Sequence, residues 1–278
     1  MSREPVQQQF DLTDRVAVVT GGAGLLGREF CWTLAQAGAA VLVADLDGDA
    51  GVDVAESITQ GGYTARSVAT DVTQPHSVEG MVATALEAWG RVDILVNSAA
   101  LDPKFDPRAL QNEQAASGAF ESYPLEFWQQ ALDVNLTGMF LTCQAVAEPM
   151  LSQGGGVIIN LSSIYGVTAP DQRLYQQEDH PPRYKPVYYT VTKAGVLGLT
   201  KYLAAYYAGK NIRVNTLTPG GVYNDHDDEF VQAYAARSIL GRMADKSDMN
   251  GALLFLASDA SRYMTGANLV VDGGWTTW

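Results

Sequence analysis

Two cysteines and three histidines are all that 278 residues offer to a disulfide or a transition metal. Cys31 and Cys143 both sit in apolar, helix-like contexts. They are expected to be buried free thiols in a reducing compartment, and no metal site is expected. Positive charge is also scarce. Eighteen Lys and Arg stand against 31 Asp and Glu, for a net charge of −13. With no basic stripe along the chain, nucleic acid is excluded as a partner, and the acidity serves solubility. No run approaches the ~20 apolar residues of a membrane span. The first ten residues, Met1 to Phe10, are polar and lack the apolar core of a signal peptide. The expected location is cytoplasmic, with no membrane partner. Internal repeats, low-complexity tracts and linkers are lacking too, so a single domain over 1–278 is the simplest organisation.

The chain instead offers a regular alternation of short apolar strands and helical stretches. Arg15-Val16-Ala17-Val18-Val19-Thr20 reads as a buried strand and runs directly into Gly21-Gly22-Ala23-Gly24-Leu25-Leu26-Gly27. A helical pattern follows to Ala37, with Gly38 placed to end it. A second strand, Val41-Leu42-Val43-Ala44, closes at Asp45. Strand, glycine turn, helix, strand and acid together form a dinucleotide-binding unit. The glycines let backbone approach a pyrophosphate, and the helix N-terminus supplies free N–H groups and the positive end of its dipole. Asp45 can accept both ribose hydroxyls and would repel a 2′-phosphate. No Arg or Lys lies in the turn, and Leu46 and Asp47 follow the acid. NAD is therefore expected over NADP.

The alternation continues with a helix over Gly48–Gln60, a strand over 65–70 closed by Asp71-Val72, and a helix over 76–89. A strand over 92–96 ends in Asn97-Ser98-Ala99-Ala100, and one long helix over 125–151 carries Asn135. Strands Gly156–Leu161, 212–217 and Asn268–Val271 complete the set, ending respectively in Ser162-Ser163, Thr218-Pro219-Gly220-Gly221-Val222 and Asp272-Gly273-Gly274. The pattern predicts an α/β fold: a single Rossmann-type, doubly wound, seven-stranded parallel sheet with helices on both faces. Ligands of such sheets bind beyond the carboxyl ends of the strands, where these polar residues fall.

Tyr189 and Lys193 lie four apart on a helical stretch, one turn apart on one face. A free phenol, with a pKa of about 10, is a poor base near neutrality. A neighbouring ammonium favours the phenolate, so the pair is a plausible acceptor for an alcohol proton.

Taken together, these residues resemble the short-chain dehydrogenase/reductase family in its single-domain, NAD-dependent form. The resemblance rests on Thr20 with Gly21, Gly24 and Gly27; Asp45; Asp71; Asn97-Ser98-Ala99; Asn135; Ser163; Tyr189 with Lys193; Pro219-Gly220; and Tyr263-Met264-Thr265-Gly266 followed by Asp272-Gly273-Gly274. It implies a catalytic set of Asn135, Ser163, Tyr189 and Lys193. Tyr189 would be the general acid/base, Lys193 would lower its pKa and bond the nicotinamide ribose, and Ser163 would hold the substrate oxygen. Asn135 would hold a water linking Lys193 to solvent. The implied cofactor contacts are Gly21, Gly24, Leu25 and Leu26 in the turn; Asp45 and Leu46; Asp71 and Val72 at the adenine; Asn97 and Ala99; Tyr189 and Lys193; and Pro219, Gly220 and Val222, the last near the carboxamide. A homotetramer (or homodimer) is implied as well, with the helices around Asn135 and Tyr189 and the segment from Trp275 to Trp278 as contact candidates.

The chain departs from that pattern in three places. The turn Thr20-Gly21-Gly22-Ala23-Gly24-Leu25-Leu26-Gly27 is similar to that of the family's extended branch, which includes sugar-nucleotide epimerases and dehydratases. Asn97-Ser98-Ala99-Ala100 lacks the usual final glycine, and Asn224 stands where threonine often touches the carboxamide. Two insertions, 101–123 and 168–187, leave strand ends on the active-site side. Both are rich in hydrogen-bonding groups and suit a small polyhydroxylated substrate, with Lys104, Arg173, Tyr175 and Arg183 as candidate contacts. They equally suit solvated loops packed on each other or on a neighbouring subunit. Asp102-Pro103-Lys104 and the stretch from Ala169 to Tyr175 resemble a subgroup associated with surface-sugar or flagellin-glycan biosynthesis, and the wider sequence resembles gluconate-type sugar dehydrogenases. Asn224-Asp225-His226-Asp227-Asp228-Glu229 reads as an acidic helix start, with Phe230, Tyr234 and Ile239 as pocket-wall candidates. The leading expectation is an NAD-dependent oxidoreductase interconverting a secondary alcohol and a ketone, on a sugar, sugar acid or sugar derivative. The alternatives are an epimerase or dehydratase with retained NAD, and a non-catalytic NAD-binding regulatory protein.

Overall fold

The computed structural model describes residues 5–102, 110–176 and 181–278. Seven strands form one sheet: β1 (Val16–Thr20), β2 (Ala40–Asp45), β3 (Ala65–Ala69), β4 (Ile94–Asn97), β5 (Gly156–Leu161), β6 (Ile212–Pro219) and β7 (Asn268–Val271). All neighbours are parallel, in the order β3-β2-β1-β4-β5-β6-β7. The chain winds outward from β1 in one direction and from β4 in the other. The crevice between them is the switch point at which such sheets bind ligands.

Alternate side chains of each strand serve opposite faces, and each face has its own apolar layer. Ala17 and Val19 of β1 join Phe30, Leu34, Ile58 and Leu253. Val16 and Val18 join Met81, Val146, Met150 and Val196. The first layer is covered by helices Leu25–Gln36, Gly48–Gln60 and Asn250–Ala257, the second by Pro75–Trp89, Met139–Ser152 and Val187–Tyr206. Central strands buried on both faces read as continuous apolar runs, which is why β1 and β2 stood out in the sequence.

Local signals set the helix ends. Asp47 caps Gly48–Gln60 by accepting the Ala50 N–H at 3.0 Å. Helix Pro75–Trp89 begins at a proline and ends at Gly90, whose φ of 75° is the left-handed stop. The strand expected over 65–70 ends one residue earlier, at Ala69, and the helix expected over 76–89 begins one residue earlier, at Pro75.

The largest difference from expectation lies in the helix predicted over 125–151. It is Leu125–Leu132, then a π-helical segment Asp133–Gly138, then Met139–Ser152. Hydropathy runs unbroken through all three, so nothing in the apolar pattern marks the break. Packing does: a Cβ on Gly138 would lie 2.8 Å from Val72 Cγ2, so the widened turn is seated directly on Val72.

Candidate active site

The turn after β1 is shaped by close approach. Gly21 has φ +64°, and a Cβ there would lie 2.7 Å from Ala99 Cα. A Cβ on Gly27 would run into the Gly21 carbonyl. Gly24 is the N-cap of helix Leu25–Gln36, with no side-chain cap and no acidic residue in the first turn. The amides of Leu25 and Leu26 therefore open that helix with no capping side chain of their own turn, a donor set that fits a pyrophosphate. Asp45, the last residue of β2, faces the same turn. Its carboxylate accepts the Ala23 N–H at 2.9 Å and the Asp47 N–H at 3.0 Å. Leu46 beside it is exposed. Asp71 braces its own loop, accepting the Thr73 N–H at 2.9 Å and its hydroxyl at 2.7 Å. Val72, Asn97 and Ala99 line one small hollow with Thr20 and Gly138.

Asn97 points its amide into the sheet. Its Nδ2 donates to Asn160 Oδ1 at 2.9 Å and its Oδ1 accepts the Thr142 hydroxyl at 2.7 Å. Pro219 ends β6. Gly220 donates to the Val271 carbonyl at 2.9 Å, and a Cβ there would lie 2.8 Å from Asp272 Cα. Val222 pairs with Ala244 in an isolated parallel bridge.

Three of the four candidate catalytic residues, Ser163, Tyr189 and Lys193, converge at the carboxyl end of β5, and Asn135 adjoins the helix of the last two through Thr192. Ser163 caps the short helix Ile164–Val167, its Oγ accepting the Tyr165 N–H at 3.2 Å. Its hydroxyl also meets the Tyr189 phenol. Helix Val187–Tyr206 carries Tyr189 and Lys193, and it is pinned here: Ser162 Oγ donates to the Lys193 carbonyl at 2.7 Å, and a Cβ on Gly166 would lie 2.6 Å from that carbonyl. Lys193 is buried and donates from Nζ to the Leu161 carbonyl at 3.0 Å. Nζ lies 5.8 Å from the centre of the Tyr189 ring. Asn135, on the π segment, bonds through both ends of its amide. Oδ1 accepts the Leu101 N–H at 2.6 Å, and Nδ2 donates to the Leu101 carbonyl at 3.2 Å and to Thr192 Oγ1 at 3.3 Å.

The electrostatics depart from expectation. Burial is the largest influence on Tyr189 and raises its pKa; the Asp102 carboxylate raises it further, while the Ser163 hydroxyl opposes. Lys193 does not override this. The same burial lowers its own pKa to about 8, with Lys185 reinforcing and Asp102 opposing. Desolvation penalises both charged forms at once, which spacing along a helix cannot reveal.

The inserted stretches are sorted differently from the expectation. Lys104 lies outside the described residues. Arg173 is turned away: its side chain is 83% exposed and pairs with Asp171 at 2.8 Å. Asp171 is shared with Arg237 at 2.9 Å, and the hydrogen bond from Arg173 is the first cause holding its carboxyl far below the usual range. Arg183 is also exposed. Two arginines proposed to hold a substrate thus stand on the surface, because each charge found solvent or a nearby acid. Tyr175 points inward, its hydroxyl donating to Tyr165 Oη at 3.0 Å and its ring packing on Phe230 at 5.7 Å. Phe230 continues a ladder of rings through Tyr234 to Trp275, the last two stacked at 4.2 Å. Trp275 is accordingly buried and not an exposed contact residue, whereas Trp278 and Ile239 are exposed.

Two residues beside Tyr189 were missed as site residues. Lys185 Nζ lies 4.0 Å from the centre of the Tyr189 ring, and it pairs with Asp102 Oδ2 at 3.1 Å. One signal was available. Lys185 directly precedes Pro186, which holds it extended, and the helix bearing Tyr189 starts at the next residue.

Among the described residues no group of His, Cys, Asp and Glu is arranged to hold a metal, and no helix is long and apolar enough to cross a membrane. Cys31 and Cys143 are free and buried, and burial pushes the Cys143 thiol up to about 12.

Comparison with known proteins bears on the family and the fold. Residues 23–276 match the family model described as enoyl-(acyl carrier protein) reductase. The chain is 37% identical over 278 residues to the short chain dehydrogenase/reductase astE of Aspergillus oryzae, covering 96% of this chain and 97% of that protein. It is 34% identical over 276 residues to the D-threitol dehydrogenase of Mycolicibacterium smegmatis, covering 98% and 96%. Among solved structures, a gluconate 5-dehydrogenase from Burkholderia cenocepacia, in complex with NADP and tartrate, superposes with a TM-score of 0.85 at 28% identity, covering 99% of this chain and all of that one. Matched from end to end by these relatives and over residues 23–276 by the family model, this chain belongs to the short-chain dehydrogenase/reductase family, oxidoreductases that act on CH–OH groups and bind a nicotinamide cofactor.

Proposed function

We propose that this chain is an NAD-dependent dehydrogenase of a sugar, sugar acid or other polyol, folded as one domain over 1–278. The observation that carries the reading is the meeting of the Tyr189 phenol with Ser163 at the end of β5, with Lys193 buried behind it. In oxidation, Ser163 Oγ holds the substrate oxygen and stabilises charge developing there. Tyr189 Oη takes the hydroxyl proton once deprotonated, a state that burial opposes and a nearby positive charge favours. Lys193 supplies positive charge one helical turn away, and the carbinol carbon becomes a carbonyl. A bound nicotinamide supplies the hydride acceptor. Gly21, Gly24, Leu25 and Leu26 would hold the pyrophosphate, and Asp71, Val72, Asn97, Ala99, Pro219, Gly220 and Val222 would border the rest.

Asp45 supports NAD over NADP. A carboxylate that already braces the glycine turn through Ala23 repels a 2′-phosphate at the same place. The relative named for D-threitol and the solved structure named for gluconate, holding tartrate, both point to a polyhydroxylated substrate. The reading includes a cytoplasmic homotetramer. Exposed Phe140 and Val191, and the stacked pair Tyr202 and Tyr206, support an interface on the helices around Asn135 and Tyr189. Light scattering at working concentration tests the assembly.

The deciding experiment follows reduced-nicotinamide absorbance with NAD or NADP across polyols, sugars, sugar acids and apolar secondary alcohols, with Tyr189→Phe beside the wild type. The expected result is net reduction of NAD on one polyhydroxylated class, absent in the variant. A preference for NADP overturns the Asp45 argument. Product formation without net reduction of cofactor would replace the dehydrogenase by an epimerase or dehydratase.

A further inference from the structure

Two side-chain amides perform the same operation in the two insertions. Asn135 grips Leu101 through both its N–H and its carbonyl, at 2.6 and 3.2 Å. Gln172 grips Lys185 in the same way, accepting its N–H at 2.8 Å and donating to its carbonyl at 3.2 Å. Each grip fixes a short length of loop as a strand partner would. Asp102 follows the gripped Leu101, and Lys185 is itself gripped. Their side chains meet at 3.1 Å with 33% and 13% exposure, and the ammonium lies 4.0 Å from the centre of the Tyr189 ring.

A partly exposed ion pair contributes little to stability, on the order of 0–1 kcal/mol. Two dedicated amide grips are more support than such a pair requires for folding. The placement is better explained by what the pair faces. A carboxylate accepts hydroxyl hydrogens at two oxygens, and an ammonium has three donors of which Asp102 occupies one. Side by side they complement neighbouring hydroxyls, and their charges cancel. A carboxylate on the substrate would meet Lys185 but also Asp102.

We propose that Asp102 and Lys185 form a charge selector for this site: together they hold the hydroxyl groups flanking the reacting carbinol of a neutral polyol, and Asp102 turns away substrates bearing a carboxylate there. The selector rests on the polyol dehydrogenase reading and narrows it from sugars and sugar acids to uncharged polyols.

D-Threitol and tartrate share a four-carbon dihydroxy frame and differ in charge, so they separate the two requirements. Their dissociation constants are measured calorimetrically with NAD present, in a Tyr189→Phe background that stops turnover but keeps the ring. Threitol is expected to bind the parent more tightly than tartrate. Asp102→Asn should improve tartrate relative to threitol about tenfold, the scale of one charged contact. Lys185→Met should weaken threitol about tenfold without admitting tartrate. Gln172→Leu keeps both charges and should blunt the discrimination through misplacement alone. A ratio that moves less than about threefold in both charge variants overturns the selector, as does failure of both probes to bind any form. Wild-type turnover distinguishes the two readings. Alcohol oxidation with an unmoved ratio defeats the selector alone, and a moved ratio without oxidation of any alcohol defeats the dehydrogenase alone.

Discussion

The two ends of the same sheet treat polar groups in opposite ways. At the amino end, each group is closed on another. Asp93, with a side chain 3% exposed, accepts from Arg91 at 2.8 and 2.7 Å and from the Val16 N–H at 2.9 Å, and it pairs with Arg15. Arg213, near the start of β6, donates to Ser261 Oγ and to the carbonyls of Met264, Leu256 and Ser258. At the carboxyl end, Lys193 is deep enough for its ammonium to be disfavoured, Tyr189 is deep enough for its phenolate to be disfavoured, and one charge pair, Asp102 with Lys185, stands over the phenol. One end spends burial on stability. The other holds ionisable groups where folding alone gains nothing from them.

The sharpest break of this contrast is Tyr189→Phe. Turnover should fall about a thousandfold, while thermal stability stays close to wild type. A large stability loss would place Tyr189 with the structural end. Arg213→Leu is the converse. It strips the donor from buried acceptors and should cost about 3 kcal/mol in denaturant unfolding, with kcat of the folded fraction unchanged.

Lys193→Met sharpens the comparison, because chemistry and stability should move in opposite directions. The folded pKa of about 8 lies below the ordinary 10.5. The unfolded chain therefore binds more protons between those values, so stability rises as pH climbs through that window, and the penalty is full below about 8. Removing the charge should abolish turnover and stabilise the protein at pH 7 by about 2 kcal/mol, after the bond to the Leu161 carbonyl is lost. The gain should vanish by pH 10.5.

The smallest effect is a pH shift. Tyr189 is faced by Asp102 and Lys185 from the insertions, Ser163 and Tyr165 after β5, and Lys193 on its own helix. Asp102 raises the phenol's pKa, so Asp102→Asn should move the rising limb of the oxidation profile to lower pH, by about one unit. An unmoved limb in kcat/KM would show that Tyr189 does not feel that carboxylate.

The same division governs what the chain reveals as text. β1, β2 and β5 were legible because burial on both faces writes a continuous apolar run, Asp45 and Ser163 because strand ends are where such runs stop, and Tyr189 from its spacing to Lys193 on one helix. The substrate side was not. Arg173 and Arg183 looked suited to a substrate by type, yet chain direction after Ala169 decides where a long side chain goes, and Asp171 two residues earlier captured the first of them. Lys185 carried no distinction of type. Its place depends on Gln172, thirteen residues away, and no periodicity records that bond.

The π segment Asp133–Gly138 has one more consequence. A residue added to a helical turn advances the phase of everything beyond it by about 100°. Leu125–Leu132 buries Phe127 and Ala131, and Met139–Ser152, with its phase reset by the wide turn, keeps Cys143, Val146 and Met150 on the sheet. Between them, Leu136 seats against Gly195, two residues from Lys193. What this stretch conserves is a count. Substitutions along it change individual contacts, but a chain shortened there by one residue would keep a regular helix and turn Asn135 off Leu101, losing the active-site frame through arithmetic alone.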